Sequence, residues 1–238
     1  MKCSTVNSNR IWEIDLIRGI AIILMIIFHL IVDLKDFYRY NLDYFNGFWY
    51  LEGKLSAILF ILICGVSSTL SRHNTHHGIK VFIWAMILTA VTYLYNEGNY
   101  IRFGILHFLG ISLLSANLMR KIPITWLMIG SCATVLVGLL FSGPFVTNPY
   151  LFPIGLMTNT FVSMDYYPLF PWYGVFLFGM TLGKILYSNN KRNFGIRQVP
   201  LVQAEALTII TWLGQHSLAI YLIHQPILLG MLYILHGT

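Results

Sequence analysis

Apolar runs of about 20 residues recur along this chain from end to end, and a helix of that length matches the ~30 Å hydrocarbon core of a bilayer. Seven such runs stand out: Ile11 to Val32, Phe48 to Leu70, Val81 to Tyr95, Phe103 to Met119, Ile124 to Ser142, Pro171 to Tyr187, and Leu207 to Leu235. Inside lipid a helix satisfies its own backbone hydrogen bonds, which an isolated strand cannot do. The expected fold class is therefore all-α: a polytopic integral membrane helix bundle of about seven transmembrane helices. The first turns of the last run are expected to lie along the membrane surface, with the true crossing beginning at Leu213.

Composition sharpens this reading. The chain is 57% hydrophobic and 10% charged, where a soluble domain carries roughly 25% charged residues. The spans use most of the 238 residues, so residues 1–238 are expected to form a single transmembrane domain. The first run contains Glu13, Asp15 and Arg18 and is followed by no small-residue cleavage site, so it is expected to remain in the mature chain.

Orientation follows from the basic residues of alternate loops. One side collects nine: Lys2, Arg10, Arg72, Lys80, Arg120, Lys121, Lys191, Arg192 and Arg197. The other collects three, Lys35, Arg39 and Arg102. The N-terminus is thus expected to be cytoplasmic and the C-terminus outside. This bias also accounts for the net charge of +6, so nucleic-acid binding is not expected. The three cysteines, Cys3, Cys64 and Cys132, cannot build a disulfide framework.

Polar residues inside a membrane helix are costly and usually mark function. In the first run they fall in a row. At ~100° per residue, Arg18 and His29 differ by about 1100°, within ~20° of three turns, and Asp15 and Asp33 each lie within ~40° of His29. Arg18 is deep enough to require a wet or paired environment. His29 lies near the outer end, with Asp33 one turn beyond, at a spacing that lets a carboxylate orient an imidazole and raise its basicity. His29 is a candidate general base. The alternative is an internal Asp15–Arg18 ion pair, with His29 an ordinary interfacial polar group.

The segment Glu13 to Leu34 resembles the first catalytic-domain helix of the heparan-alpha-glucosaminide N-acetyltransferase-like family. The Arg18-to-His29 spacing is similar to the signature of the wider transmembrane acyltransferase family 3 group. Phe103 to Ile111, Tyr167 to Gly174 and His216 to Pro226 agree in order. The resemblance implies acyl transfer across the membrane, with acetyl-CoA or another short acyl-CoA as a donor substrate from the cytoplasm. The acceptor outside would be an amino sugar or other glycan. It further implies His29, with Asp33, as the catalytic base, Arg18 with Asp15 at the CoA donor, and the plasma membrane of a prokaryote as the setting. The chain has fewer spans than the wider group, which implies a homo-oligomer as one way to complete the assembly.

Other positions carry two readings each. His107, at a depth comparable to His29, would bind the acceptor or stabilise an oxyanion, or else make a helix-to-helix hydrogen bond. Trp172, with Tyr173, would wall a sugar or the pantetheine arm, or anchor at the interface. His224 precedes Gln225 and Pro226, whose missing N–H opens a polar spot suited to a thioester, or simply kinks the helix. Lys54 and Glu52 would join Asp33 in a local network, or snorkel. Asp165 is the single carboxylate of a long aromatic-rich external segment, Gly143 to Phe170, which reads as a lid or as an aromatic belt on the headgroups. Three imidazoles in the run Arg72 to His77 have metal-like spacing but no Cys or carboxylate beside them, so no metal is expected.

Two other classes fit the physical pattern. His29 and His107 could ligate a b-type haem in an electron carrier. Asp15, Arg18 and His29 could relay protons in a coupled transporter.

Overall fold

The computed structural model describes residues 11–141, 146–188, 191–192 and 205–237. These form eight α-helices: α1 (Trp12–Asp36), α2 (Gly47–Leu70), α3 (Asn74–Tyr95), α4 (Ile105–Met119), α5 (Ile124–Phe141), α6 (Leu169–Leu186), α7 (Glu205–Gln215) and α8 (Ser217–His236). A 3-10 turn spans Pro149–Ile154, and two-residue strands, β1 (Tyr187–Ser188) and β2 (Lys191–Arg192), pair antiparallel. Helix dominates, as the apolar runs require.

Six helices, α1, α2, α3, α5, α6 and α8, are long and apolar enough to cross a membrane. This refines the expectation of about seven. The run at Phe103 to Met119 yields α4 of only 15 residues, about 22 Å at 1.5 Å per residue, because Phe103 pairs with Tyr166 in a parallel β-bridge before the helix starts. The run at Leu207 to Leu235 divides at His216 into α7 and α8. The expected break near Leu213 therefore falls three residues later, at a helix boundary. Of the basic residues counted for orientation, Lys2, Arg10 and Arg197 lie outside the described residues.

The chain groups into two compact units, with Met1–Phe60 and Ile196–Thr238 in one and Ile61–Gly195 in the other. In the first, α1 packs against α7 and α8. Glycine permits the closest of these approaches: a Cβ on Gly19 would strike the carbonyl oxygen of Ile210, and one on Gly214 would strike that of Asp15. Two backbones thus meet where no side chain intervenes, the small-residue packing common between apolar helices. The first half of α2 joins this unit through Ser56, whose Oγ donates to the Ala21 carbonyl at 3.0 Å, and through Gly53, which faces the ring of Phe28.

In the second unit α3 packs with α4, and α5 with α6. The Ser131 hydroxyl donates to the Gly174 carbonyl at 2.7 Å across the α5–α6 contact. The segment before α6 is fastened to the α3–α4 connection: Tyr167 N–H donates to the Phe103 carbonyl at 2.9 Å, and the Ser163 hydroxyl donates to the Tyr100 carbonyl at 3.1 Å. Phe152 and Phe161 stack at 5.5 Å between centroids, and Phe161 meets Tyr166 at 4.9 Å. The aromatic residues of the expected lid are therefore spent largely on one another and on this anchorage.

Candidate active site

All of the first helix's ionisable row belongs to the first compact unit. Arg18 Nη1 pairs with Asp15 Oδ1 at 3.1 Å, one turn apart on α1. The Asp15 side chain is almost wholly buried, while Arg18 keeps 21% of its side-chain surface. The ion pair expected as the alternative reading is formed, with the guanidinium side chain part-exposed.

His29 sits half-buried further along α1. Its Nδ1 lies 2.8 Å from the Met25 carbonyl. A carbonyl only accepts, so Nδ1 carries the proton and Nε2 carries the lone pair. This corrects one expectation. Asp33 does not orient the imidazole; the backbone of the preceding turn does. Asp33 is 1% exposed, and its Oδ1 accepts from Gln225 Nε2 of α8 at 2.7 Å.

His224 of α8 stands against His29, with ring centroids 4.7 Å apart and planes at 81°. Its Nδ1 donates to the Tyr221 carbonyl at 2.6 Å, so by the same reasoning its Nε2 holds a lone pair. That Nε2 is buried with no hydrogen-bond partner, as are Asp33 Oδ2, Gln225 Oε1 and both carboxylate oxygens of Glu52. Every one of these atoms accepts, and none of them is a donor. Burying an acceptor without a partner costs roughly 1–3 kcal/mol. Such a concentration in one unit fits a ligand that brings N–H or O–H groups of its own.

Glu52 and Lys54 do not form the expected network with Asp33. Glu52 is 8% exposed and its oxygens make no hydrogen bond, whereas Lys54 is exposed with its ammonium 5.4 Å from the Tyr50 ring centroid. The difference follows from helix geometry: positions two apart on α2 face away from each other.

His107, Asp165 and Trp172 belong to the second unit. His107 is fully engaged. Its Nδ1 accepts from the Gly104 N–H at 3.2 Å, which makes Nε2 the protonated nitrogen facing Thr89 Oγ1 at 3.1 Å. The Thr89 hydroxyl in turn donates to the Ile101 carbonyl at 2.8 Å. Asp165 Oδ2 accepts from the Ile105 N–H at 2.9 Å. Both residues thus satisfy backbone donors at the start of α4, the need every helix N-terminus has. With both nitrogens occupied, His107 takes the helix-to-helix hydrogen-bond reading of the two the sequence offered. Trp172 packs on Tyr167 at 5.0 Å between centroids. Burial holds the Tyr166 hydroxyl up at about 12, and burial aided by the Asp165 charge raises that of Tyr167, so both stay protonated.

Sequence reasoning passed over the backbone carbonyls of Met25 and Tyr221, which no residue type announces. In the sequence Gln225 reads only as a neighbour of Pro226. Its place one residue after His224 was the available signal. No group of three His, Cys, Asp or Glu side chains arranged to hold a metal occurs among the described residues.

Fold and site together define a polytopic helical membrane protein in which two imidazoles meet on neighbouring helices. The sequence supplies the family: residues 10–226 match the heparan-alpha-glucosaminide N-acetyltransferase catalytic domain, and the chain belongs to that family. It is also similar to the chloroplastic NAD(P)H-quinone oxidoreductase subunit 5 of Populus trichocarpa, 28% identical over 159 residues, which covers 61% of this chain and 19% of that protein. The chain thus spans about a fifth of the length of that curated relative. No solved structure matches.

Proposed function

We propose that this protein is a membrane-integral acyltransferase that moves an acetyl or other short acyl group from cytoplasmic acyl-CoA to an extracytoplasmic acceptor, an amino sugar or other glycan. Membership of the N-acetyltransferase family supports the reaction class. One observation carries the mechanism: His29 has its Nδ1–H tied to the Met25 carbonyl, leaving Nε2 as a base.

In this reaction the acceptor nitrogen or oxygen attacks the thioester carbonyl while His29 Nε2 removes its proton. The C–S bond then breaks, the sulfur keeps the electron pair, and the His29 imidazolium returns the proton to it. General base catalysis of this kind contributes on the order of 10² to 10⁴ in rate. The carboxylate of Asp33, one turn from His29, favours the transient imidazolium. Arg18, part-exposed beside Asp15, is the residue assigned to the donor's phosphates, as the family resemblance implies. A homo-oligomer and the prokaryotic plasma membrane belong to the same proposal, with residues 1–238 acting as one transferase domain.

The test is thermal unfolding in detergent with CoA and with acetyl-CoA, for the wild type and for Arg18→Ala. Both ligands should raise the wild-type Tm, and the rise should shrink or vanish in the variant. A wild type indifferent to both ligands contradicts the donor assignment.

A further inference from the structure

We infer that His224 is a second proton acceptor of the site, whose task is to deprotonate an acceptor that arrives as an ammonium ion, while His29 handles the proton of the acyl-transfer step itself. The inference rests on the acyl-transfer reading above and deepens it.

The geometry is a matched pair. Each imidazole has its Nδ1–H fixed on a carbonyl of its own helix, Met25 for His29 and Tyr221 for His224, and each therefore offers Nε2 as a lone pair. The rings are 4.7 Å apart and nearly perpendicular, so the two imidazoles belong to one site. His224 Nε2 is buried without any partner, so nothing in the protein uses it. Asp33 Oδ2 and Gln225 Oε1, on the same two helices, are equally unused acceptors. An ammonium group brings three N–H donors to a place that lacks them.

An amine that binds as the ammonium ion gives up two protons on its way to the amide, one before attack and one after it. An alkyl amine of pKa near the α-amino value, about 8, is mostly protonated at neutral pH and has no lone pair with which to attack. His224 Nε2 takes the first proton, freeing the amine. The amine nitrogen bonds to the thioester carbon, and His29 Nε2 takes the second proton. When the C–S bond breaks, the sulfur leaves with the electron pair and receives the proton from His29, giving CoA thiol. The products are amide, thiol and the one proton now on His224, which is the net proton of the reaction. The titratable groups beside His224 are His29 of α1, at 4.7 Å between ring centroids, and Tyr221 of its own helix, at 5.5 Å; Asp33 of α1 meets the next residue, Gln225, and α7 contributes none between Ala206 and Gln215. Glu52 of α2 lies in the same unit.

The experiment compares two acceptors on the purified protein with acetyl-CoA at about pH 6.5: glucosamine, which is an ammonium ion there, and aniline, which is a free amine. In His224→Gln, which cannot take a proton, the enzyme is left with the few per cent of glucosamine that is free amine at that pH, so kcat/KM for glucosamine should fall by roughly 10- to 30-fold while that for aniline changes by less than about twofold. The glucosamine loss should shrink as the pH rises past the pKa of the amine. His224→Asn gives the same comparison should the first variant fold poorly. Equal losses on both acceptors would overturn the inference and leave acyl transfer standing. A wild type that acetylates neither acceptor would overturn acyl transfer and the inference with it.

Discussion

At the scale of single residues, the site is governed by which atoms keep a free lone pair. His29 and His224 keep theirs because backbone carbonyls occupy the opposite nitrogens, while His107 keeps none. Replacing His107 with Leu should lower stability by about 1–3 kcal/mol, by stranding the Gly104 N–H, and leave acetyl transfer per folded molecule unchanged. Denaturant unfolding and a transfer assay on the same preparation check this; lost transfer at full stability would mean that His107 serves the reaction. Asp33 and Gln225 form a buried pair and should behave as one. Gln225→Leu alone should cost about 1–3 kcal/mol by removing the donor from a buried carboxylate, and adding Asp33→Leu should recover most of it. Strictly additive losses would show that the two side chains are not coupled. The row Asp15, Arg18, His29, Asp33 could be read from helical periodicity. The partners that set its chemistry could not, because a carbonyl of the helix's own backbone is present in every sequence, and Gln225 lies 192 positions from Asp33.

At the scale of elements, two results depart from a reading of apolar runs. Run length measures hydrophobicity, and it does not see a backbone hydrogen bond that ends a helix. Phe103 belongs to the fourth run by composition, yet its backbone pairs with Tyr166 and Tyr167, and α4 begins two residues later at Ile105. Likewise α7 and α8 part at Gly214-Gln215-His216-Ser217, a short polar interruption that a run bounded only by its apolar ends passes over. The crossing of α1 and α7 depends on Gly19 and Gly214, where neither helix has room for a Cβ. Gly19→Val should destabilise the first unit by about 1–3 kcal/mol, as overpacking does. Unfolding curves in detergent read this directly, and an unchanged Tm would mean that the helices part without cost.

At the scale of the whole molecule, the membrane character and the family were legible from length, composition and motif order, and the match to residues 10–226 bears the family out. The number of crossings turns on α4, whose 15 residues fall short of the 22 of α3 before it and the 18 of α5 after it. With α4 counted as a crossing, single cysteines at Gly98 and Lys121, placed in a chain with Cys3, Cys64 and Cys132 replaced, should react with an impermeant maleimide from opposite faces of sealed vesicles. Reaction from the same face would remove α4 from the count. The claim on which all the chemistry depends is that His29 Nε2 is the base for acyl transfer. Its most direct test is single-turnover formation of acetylated amine from labelled acetyl-CoA by the reconstituted wild type and by His29→Ala. The wild type should form product, and the variant should be slower by about 10² to 10⁴ while still binding acetyl-CoA; equal rates in the two proteins would contradict it.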